Sequence, residues 1–202
     1  MLTKLHIFLV ALLVCVAALP AGALVEWTFD ADATEGWRGT GPGQANSRAE
    51  DGRLKWDYVD PGENPFDPQV SINDVSVDAD AHRYVLFDIE ATANADQIDR
   101  LQLFFSNGNG FVRNDGPDRK ESSVSMRMIT NAGTVRVGGH IPTMLEAEGK
   151  PTDWWSGTVV DMRFDPGGGN PDSYAGQGGS CDRIAFLTQA EFEAVTWGMD
   201  FA

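Results

Sequence analysis

Cysteine is nearly absent from this chain of 202 residues, which contains only Cys15 and Cys181. Cys15 lies in an N-terminal segment that we expect to be removed, so the mature chain keeps a single thiol and cannot close an internal disulfide. Cys181 follows a glycine-rich loop and has no histidine or group of bases near it in the sequence, which favours a buried, inert thiol over a reactive one. Stability must therefore come mainly from packing.

Basic residues are scarce as well. The sequence has 15 Lys and Arg against 30 Asp and Glu, and its formal net charge is −15. So large a negative excess repels nucleic acid and anionic polysaccharides, and it excludes them as general partners. Neutral glycans or cations fit better, and the acidity also keeps an exported protein soluble.

Recognisable catalytic motifs are missing too. The sequence has no Gly-x-Ser-x-Gly elbow, no phosphate-cradling loop and no zinc-protease helix motif. Asp88 and Glu90 lie on one face of a predicted strand, and a pair of carboxylates can hydrolyse glycosides, but two acids at this spacing are common in so acidic a chain. The sequence therefore favours a non-catalytic role.

Residues 1–23 have the features of a signal peptide. Lys4 supplies the positive start, residues 5–19 form a short apolar run, and residues 21–23 are the small residues that suit cleavage. We expect an exported protein, secreted or held in the periplasm or at the cell surface, with no membrane span after signal removal. About 180 residues then remain, which is enough for one domain with a real core, and we expect a monomer.

Short strands dominate the rest of the chain. Nine segments show period-two alternation or a short apolar run bounded by turn residues. They are 24–29, 53–59, 69–75, 83–91, 100–106, 122–129, 134–141, 157–165 and 182–187. The pattern predicts an all-β fold, an antiparallel β-sandwich over residues 24–187. Helix is limited to one or two turns at 143–149 and to the tail 188–202, where Thr188 and Glu191 form a capping box for a short helix over 189 to about 196.

Three segments resemble the strands of a known family. "VEWTFDADATEGWRG", "WWSGTVVDMRFDP" and "CDRIAFL" look like the opening, penultimate and closing strands of galactose-binding-like jelly rolls, the fold of many carbohydrate-binding modules of exported bacterial proteins. The match runs from Trp27 to Leu187. It departs from the family in the 16-residue glycine-rich insert 165–180 and at Cys181, where a branched apolar residue is commoner. The resemblance implies a jelly-roll sandwich that binds carbohydrate.

The same resemblance implies a calcium ion. Jelly rolls of this type often hold one between the first and last strands, where carboxylates and backbone carbonyls are the ligands. Asp30 and Asp32 follow the first predicted strand and Asp182 begins the last, so the resemblance makes them the ligands of a structural ion. Two aspartates after a strand are also typical of an ordinary turn or cap, and both interpretations stay open.

Aromatic residues are the candidate glycan contacts. In the family pattern the Trp two residues before the strand's Gly packs inward, which assigns Trp155 to the core and frees Trp154 either to stack on a sugar or to cover a loop or the C-terminal helix. Trp56 and Tyr58, at i and i+2, share one face of a strand and form either a sugar platform or part of the core. Phe66, in the proline-flanked loop that follows, is a candidate for the rim of a site.

Polar candidates follow the predicted strand 100–106. Asn107, Asn109 and Arg113 are planar polar groups of the kind that hydrogen-bond sugar hydroxyls, although a stretch rich in Asn and Gly is also typical of a turn. We therefore predict non-catalytic binding of a neutral glycan through aromatic stacking. The alternatives are a structural or adhesive interaction domain and a small glycan-active enzyme.

Overall fold

The fold consists almost entirely of short strands. A computed structural model describes residues 25–42, 44–60, 62, 66–94, 98–114, 120–167, 172, 174 and 176–197. The first strands are Val25–Trp27 (β1), Arg38–Gly39 (β2), Gln44–Glu50 (β3), Arg53–Tyr58 (β4) and Val70–Ile72 (β5). The next are Val77–Asp78 (β6), Tyr84–Ala91 (β7), Ile98–Ser106 (β8), Val112–Asn114 (β9) and Lys120–Glu121 (β10). The last are Ser123–Ile129 (β11), Val135–His140 (β12), Thr158–Val159 (β13), Asp161–Pro166 (β14) and Gly178–Leu187 (β15). The helices are Ile141–Ala147 (α1) and Gln189–Trp197 (α2), with a 3₁₀ turn at Thr152–Trp154.

Two large antiparallel sheets contain most of these strands. One has the order β12-β7-β15-β4-β3, with β1 also paired to β15, and we call it the six-stranded sheet. The other, the five-stranded sheet, has the order β11-β8-β14-β5-β2. The shorter strands form the pairs β9–β10 and β6–β13. This arrangement confirms the predicted antiparallel β-sandwich.

Alternation along each strand builds the core between the sheets. In β4, Leu54, Trp56 and Tyr58 are buried while the residues between them face outward. Rings from both sheets meet at Phe164 of β14, whose centroid lies 5.8 Å from that of Trp56 and 5.5 Å from that of Phe87. Burial of these large rings is the main source of stability. The outward-facing residues are therefore the ones available for binding.

Several strands lie where the sequence predicts loops. β2 at Arg38–Gly39 and β3 at Gln44–Glu50 lie between the predicted strands 24–29 and 53–59, and β15 begins at Gly178, inside the glycine-rich insert. β3 is a run of mostly polar and small residues at the edge of its sheet, so it has little apolar alternation to reveal it. The sandwich is therefore broader than the nine predicted segments.

The C-terminal helix begins as predicted. The Thr188 backbone N–H donates to Glu191 Oε2 at 2.8 Å, the Thr188 hydroxyl lies 2.8 Å from the same oxygen, and the Glu191 N–H donates back to Thr188 Oγ1 at 3.4 Å. α2 then packs on the outer face of the six-stranded sheet, where Phe192 stacks on Tyr84 with ring centroids 4.6 Å apart. Part of that outer face is thus covered by the chain itself. Among the described residues, no helix is long and apolar enough to cross a membrane.

Cys181 lies inside the sandwich, as predicted for an inert thiol. It is fully buried on β15, and its Sγ is 3.3 Å from the carbonyl oxygen of Arg183. Burial raises the pKa of this thiol far above its usual range. A thiol held in its neutral form and closed to solvent is a poor nucleophile.

Candidate ligand-binding face

The outer face of the five-stranded sheet carries a continuous set of polar side chains. In the strand register Arg163 of β14 lies opposite Phe104 of β8 and Ser71 of β5, while Asp165 lies opposite Gln102. We call this set the polar face; it comprises Arg38, Ser71, Gln102, Phe104, Ser123, Ser125, Arg163 and Asp165. Their strand neighbours point inward instead, because side chains alternate across a sheet.

Arg163 forms the centre of the polar face. Its guanidinium carbon lies 3.9 Å from the centroid of the Phe104 ring and 5.6 Å from that of Phe111. Its Nη2 donates to Asp165 Oδ2 at 2.9 Å. The Arg163 side chain remains 19% exposed, so one flat cation is held in place with part of it available to a ligand.

The second ion-pair contact of Arg163 is not a hydrogen bond. Its Nε lies 2.9 Å from Asp165 Oδ1, but the N–H is not directed at that oxygen, and neither atom has a hydrogen-bond partner. Both atoms are buried, so this contact stabilises the pair through charge attraction and is closed to a ligand.

Asp165 is an unusual carboxyl group because it is only 6% exposed on an outer face. Burial raises its pKa to about 7, and nearby Asp67 and Glu121 push the pKa in the same direction, while Arg163 opposes them. Near neutral pH the group is therefore present both as the acid and as the carboxylate. The acid can donate a hydrogen bond and the carboxylate can only accept.

Hydroxyl and amide groups surround this pair. Gln102 Nε2 donates to Ser123 Oγ at 2.9 Å, and the hydroxyls of Thr40 and Ser71 are 3.0 Å apart. Lys150 Nζ donates to the Ser123 carbonyl oxygen at 2.6 Å. These contacts fix the rotamers of the polar face before any ligand arrives.

Two chain segments flank the polar face. Phe111, half-buried in the loop between β8 and β9, brings its ring to 6.1 Å from that of Phe104. Near β2 and β5, the backbone N–H of Asp67 donates to the Pro42 carbonyl and that of Thr40 donates to the Gln69 carbonyl. The polar face is thus bordered by an aromatic ring on one side and by an acidic segment on the other.

The outer face of the six-stranded sheet is different. Gly178 and Gly179 leave an open depression of about 420 Å³. Its lining residues are Arg48, Asp51, Arg53, Lys55, Trp56, Asp57, Glu90, Thr92, Gly178, Gly179 and Ser180. Its bases are paired with acids: Arg53 with Glu90 at 3.2 Å and Lys55 with Asp51 at 2.6 Å, for example. Charges that satisfy each other in this way offer little to a neutral ligand.

The carboxylates considered for catalysis belong to this network. Asp88 accepts two hydrogen bonds from Arg136, at 2.6 and 2.8 Å, and Glu90 is bound to Arg53. Asp88 therefore holds an arginine on the neighbouring strand β12, and Glu90 holds one on β4, across β15. This is a structural arrangement of the sheet.

Three of the predicted aromatic contacts lie in the core. Trp56, Tyr58 and Phe66 are 1%, 2% and 7% exposed. The Tyr58 hydroxyl donates to the Pro166 carbonyl at 2.6 Å, and Phe66 stacks on Tyr174 with centroids 5.0 Å apart. These rings offer no face to a sugar, which corrects the platform interpretation. Trp56 and Tyr58 face inward because β4 directs its even-numbered residues between the sheets.

The other predicted contacts lie elsewhere. Trp155 is buried and donates from Nε1 to the His82 carbonyl at 3.0 Å, as the inward assignment requires, whereas Trp154 is half-buried and packs against the core. Asn107 and Asn109 are exposed in the turn after β8, where Asn109 Nδ2 donates to Asn107 Oδ1 at 3.2 Å. The side chain of Arg113 lies outside the described residues. These positions stay predictions for ligand contact.

The aspartates predicted to bind calcium are engaged with protein groups. Asp32 Oδ1 accepts the Gly52 N–H at 2.9 Å, and Asp182 Oδ1 lies 3.4 Å from Arg53 Nε. Asp30 is exposed nearby. Across the described part of the chain, no three Asp, Glu, His or Cys residues converge as metal ligands. Calcium binding at these aspartates stays a prediction from the resemblance.

Comparisons with known proteins give only distant similarities. No family model matches the sequence, and no curated protein matches it. The N-terminal cellulose-binding domain of Cellulomonas fimi β-1,4-glucanase C has 16% identity and a TM-score of 0.44, over 85% of this chain and 98% of that one. The second N-terminal cellulose-binding domain of the same enzyme has 17% identity and a TM-score of 0.38, over 84% and 92%. A structure described as "CBM4 structure and function" has 13% identity and a TM-score of 0.40, over 82% and 86%. At these values the chain is similar to these modules without being assigned to a family.

Proposed function

We propose that the polar face binds a neutral glycan and leaves it chemically unchanged. The observation that carries this proposal is Arg163, whose guanidinium carbon lies 3.9 Å from the centroid of Phe104 and which is paired with Asp165, within a set of hydroxyl and amide groups. Sugar hydroxyls both donate and accept hydrogen bonds. The polar face offers donors at the guanidinium and groups that both donate and accept at Gln102 and the serines.

The length of the polar face suits an oligosaccharide. Its side chains follow one another across five strands, and four spacings of about 4.8 Å give about 19 Å. A glycan of several sugar units lying across the strands would meet a polar group at each strand.

Aromatic stacking comes from Phe111 in this proposal. Its half-buried ring borders the polar face, and axial C–H groups of a sugar pack well on an aromatic face. Trp154, also half-buried, is the second candidate. The rings proposed to stack on a sugar are therefore Phe111 and Trp154, in place of the buried Trp56 and Tyr58. The exported location and the galactose-binding-like topology expected from the sequence are part of the same proposal.

Titration calorimetry with hexasaccharides of β-glucans and β-galactans tests the proposal. Arg163→Ala should weaken binding more than tenfold, which corresponds to about 1.4 kcal/mol. Arg48→Ala, the same substitution beside the depression of the opposite sheet, should leave the affinity unchanged. Gln102→Ala is a milder test, because it removes an amide from the polar face without leaving Asp165 unpaired.

The outcomes separate the two faces. Loss of affinity in Arg48→Ala with Arg163→Ala and Gln102→Ala unaffected would move the site to the six-stranded sheet. Absence of binding to every member of the panel by the wild-type protein would overturn the proposal. Thermal melts of each variant show whether a lost affinity reflects a lost fold.

A further inference from the structure

Asp165 is a nearly inaccessible acid at the centre of the polar face. One of its oxygens accepts a hydrogen bond from Arg163 Nη2, and the other lies 2.9 Å from Arg163 Nε. The remaining exposed fraction is 6%. A ligand hydroxyl therefore has little room to reach the carboxylate oxygens directly.

The charges around Asp165 are unbalanced. Arg163 on its own strand is the cation in contact with it, while Asp67, before β5, and Glu121, on β10, act on it as like charges. The residue opposite on β8 is the uncharged Gln102. Three further arginines lie on this outer face: Arg38 is opposite Ser71, and Arg100 and Arg127 are opposite each other. Among the charges that act on Asp165, one guanidinium is opposed by two carboxylates.

We propose that a glycan on the polar face binds together with a proton on Asp165, so that affinity decreases as the solution becomes alkaline; this inference rests on the proposed function. A neutral glycan covers the exposed part of Arg163 and removes the last water near Asp165, and it brings no positive charge. Loss of water disfavours the charged form of a carboxyl group more than the neutral form. Hydrogen bonds from Arg163 to sugar hydroxyls also draw the guanidinium away from Asp165, which acts in the same direction.

In the free protein Asp165 already exists in both protonation states near neutral pH. The pKa of Asp165 is raised to about 7 before any ligand is present, so a modest further rise changes its protonation under ordinary conditions. By linkage, a ligand that raises a pKa by one unit loses up to about tenfold in affinity between acidic and alkaline solution. Affinity should accordingly fall about three- to tenfold from about pH 6 to about pH 8.5.

Calorimetry of the wild-type protein in several buffers measures the proton directly. At about pH 7 the binding heat of the tightest hexasaccharide should vary with the ionisation enthalpy of phosphate, MOPS and Tris buffers, and the slope should show net proton uptake. Asp165→Asn should bind with no buffer dependence, whereas Asp57→Asn, on the other sheet, should keep the wild-type slope.

Each other outcome counts against the inference. A flat buffer series, or proton release, in a wild-type protein that binds glycan overturns the proton linkage and leaves the proposed function standing. A slope that persists in Asp165→Asn moves the proton to another group. Absence of binding at every pH removes both proposals. Should Asp165→Asn fail to fold, the wild-type buffer series and a carboxyl carbon NMR titration with and without glycan give the same decision.

Discussion

Burial of Asp165 predicts a specific pH dependence of stability in the ligand-free protein. Its pKa in the folded protein is about 7, against an ordinary value of 3.8. Between these values the folded state holds a proton that the unfolded state has released. The free energy of unfolding must therefore decrease as the pH rises from about 4 to about 7, and this contribution is constant above that range.

The size of the effect follows from the same two values. One pKa unit corresponds to about 1.4 kcal/mol, so the difference between 3.8 and about 7 sets an upper bound of about 4 kcal/mol. Asp165→Asn keeps the shape of the side chain and removes the titration. Below about pH 4 the variant should resemble the wild-type protein, because Asp165 is then protonated in both the folded and the unfolded states. At about pH 8 the variant should have gained about 2 to 4 kcal/mol relative to the wild-type protein.

Urea unfolding followed by tryptophan fluorescence at several pH values measures this difference. Other acids titrate equally in both proteins and cancel when the two are compared. Asp57→Asn, a half-exposed aspartate paired with Arg48, is the matched control and should run parallel to the wild-type protein. Parallel curves for Asp165→Asn and the wild-type protein from about pH 5 to 8 would refute the reasoning about burial.

Three further predictions concern the scaffold. Gly179→Ala would place a Cβ 2.3 Å from the Trp56 ring and should lower the free energy of unfolding by about 2 to 3 kcal/mol. Gly139→Ala is the control, because the nearest atom to its Cβ would be 3.8 Å away, and it should change that free energy by less than about 0.5 kcal/mol. Urea titrations compare the two variants. Thr188→Ala removes the capping box of α2 and should cost about 1 kcal/mol, with Gln189→Ala as the control; loss of helical circular dichroism at 222 nm in both alike would contradict the cap's role. Calcium tests the ion that the resemblance implies at Asp30, Asp32 and Asp182: binding should raise the melting temperature and a chelator should reverse the rise, whereas an unchanged melting temperature would contradict that prediction.

Local pattern predicts the sandwich but cannot decide which face of a strand points inward. In β4 the i, i+2 spacing shows that Trp56 and Tyr58 share a face, and it says nothing about whether that face is the core. The decision comes from the partner strand: Trp56 lies opposite Gly179, whose missing side chain leaves room for the indole. Gly179 belongs to the glycine-rich insert, which the sequence predicts to be a loop. The sequence therefore does not indicate that Gly179 pairs with Trp56.

The polar face was missed for a related reason. "DMRFDP" shows that Arg163 and Asp165 alternate with Met162 and Phe164, which is enough to place the two charges outside. It does not show that Phe104 lies under the arginine, because that contact depends on the pairing of β14 with β8, far away in the chain. The pairing of β14 with β8 places Phe104 beside Arg163 and Asp165, and the sequence of β14 alone does not contain this information.

The contrast between the two outer faces is the strongest physical reason to look for a ligand on the five-stranded sheet. On the six-stranded sheet, acids such as Asp88 are held by arginines in well-directed hydrogen bonds, and α2 covers the apolar part of the surface. Asp165 is the exception, since burial raises its pKa while two like charges lie near it. Burial of an acid at the centre of a polar surface raises its pKa and costs stability at alkaline pH. Groups with strongly shifted pKa values are concentrated at functional sites, where a bound ligand can change their protonation. If Asp165→Asn proved more stable at alkaline pH while the wild-type protein bound glycan with no net proton uptake, the buried acid would have no role in binding.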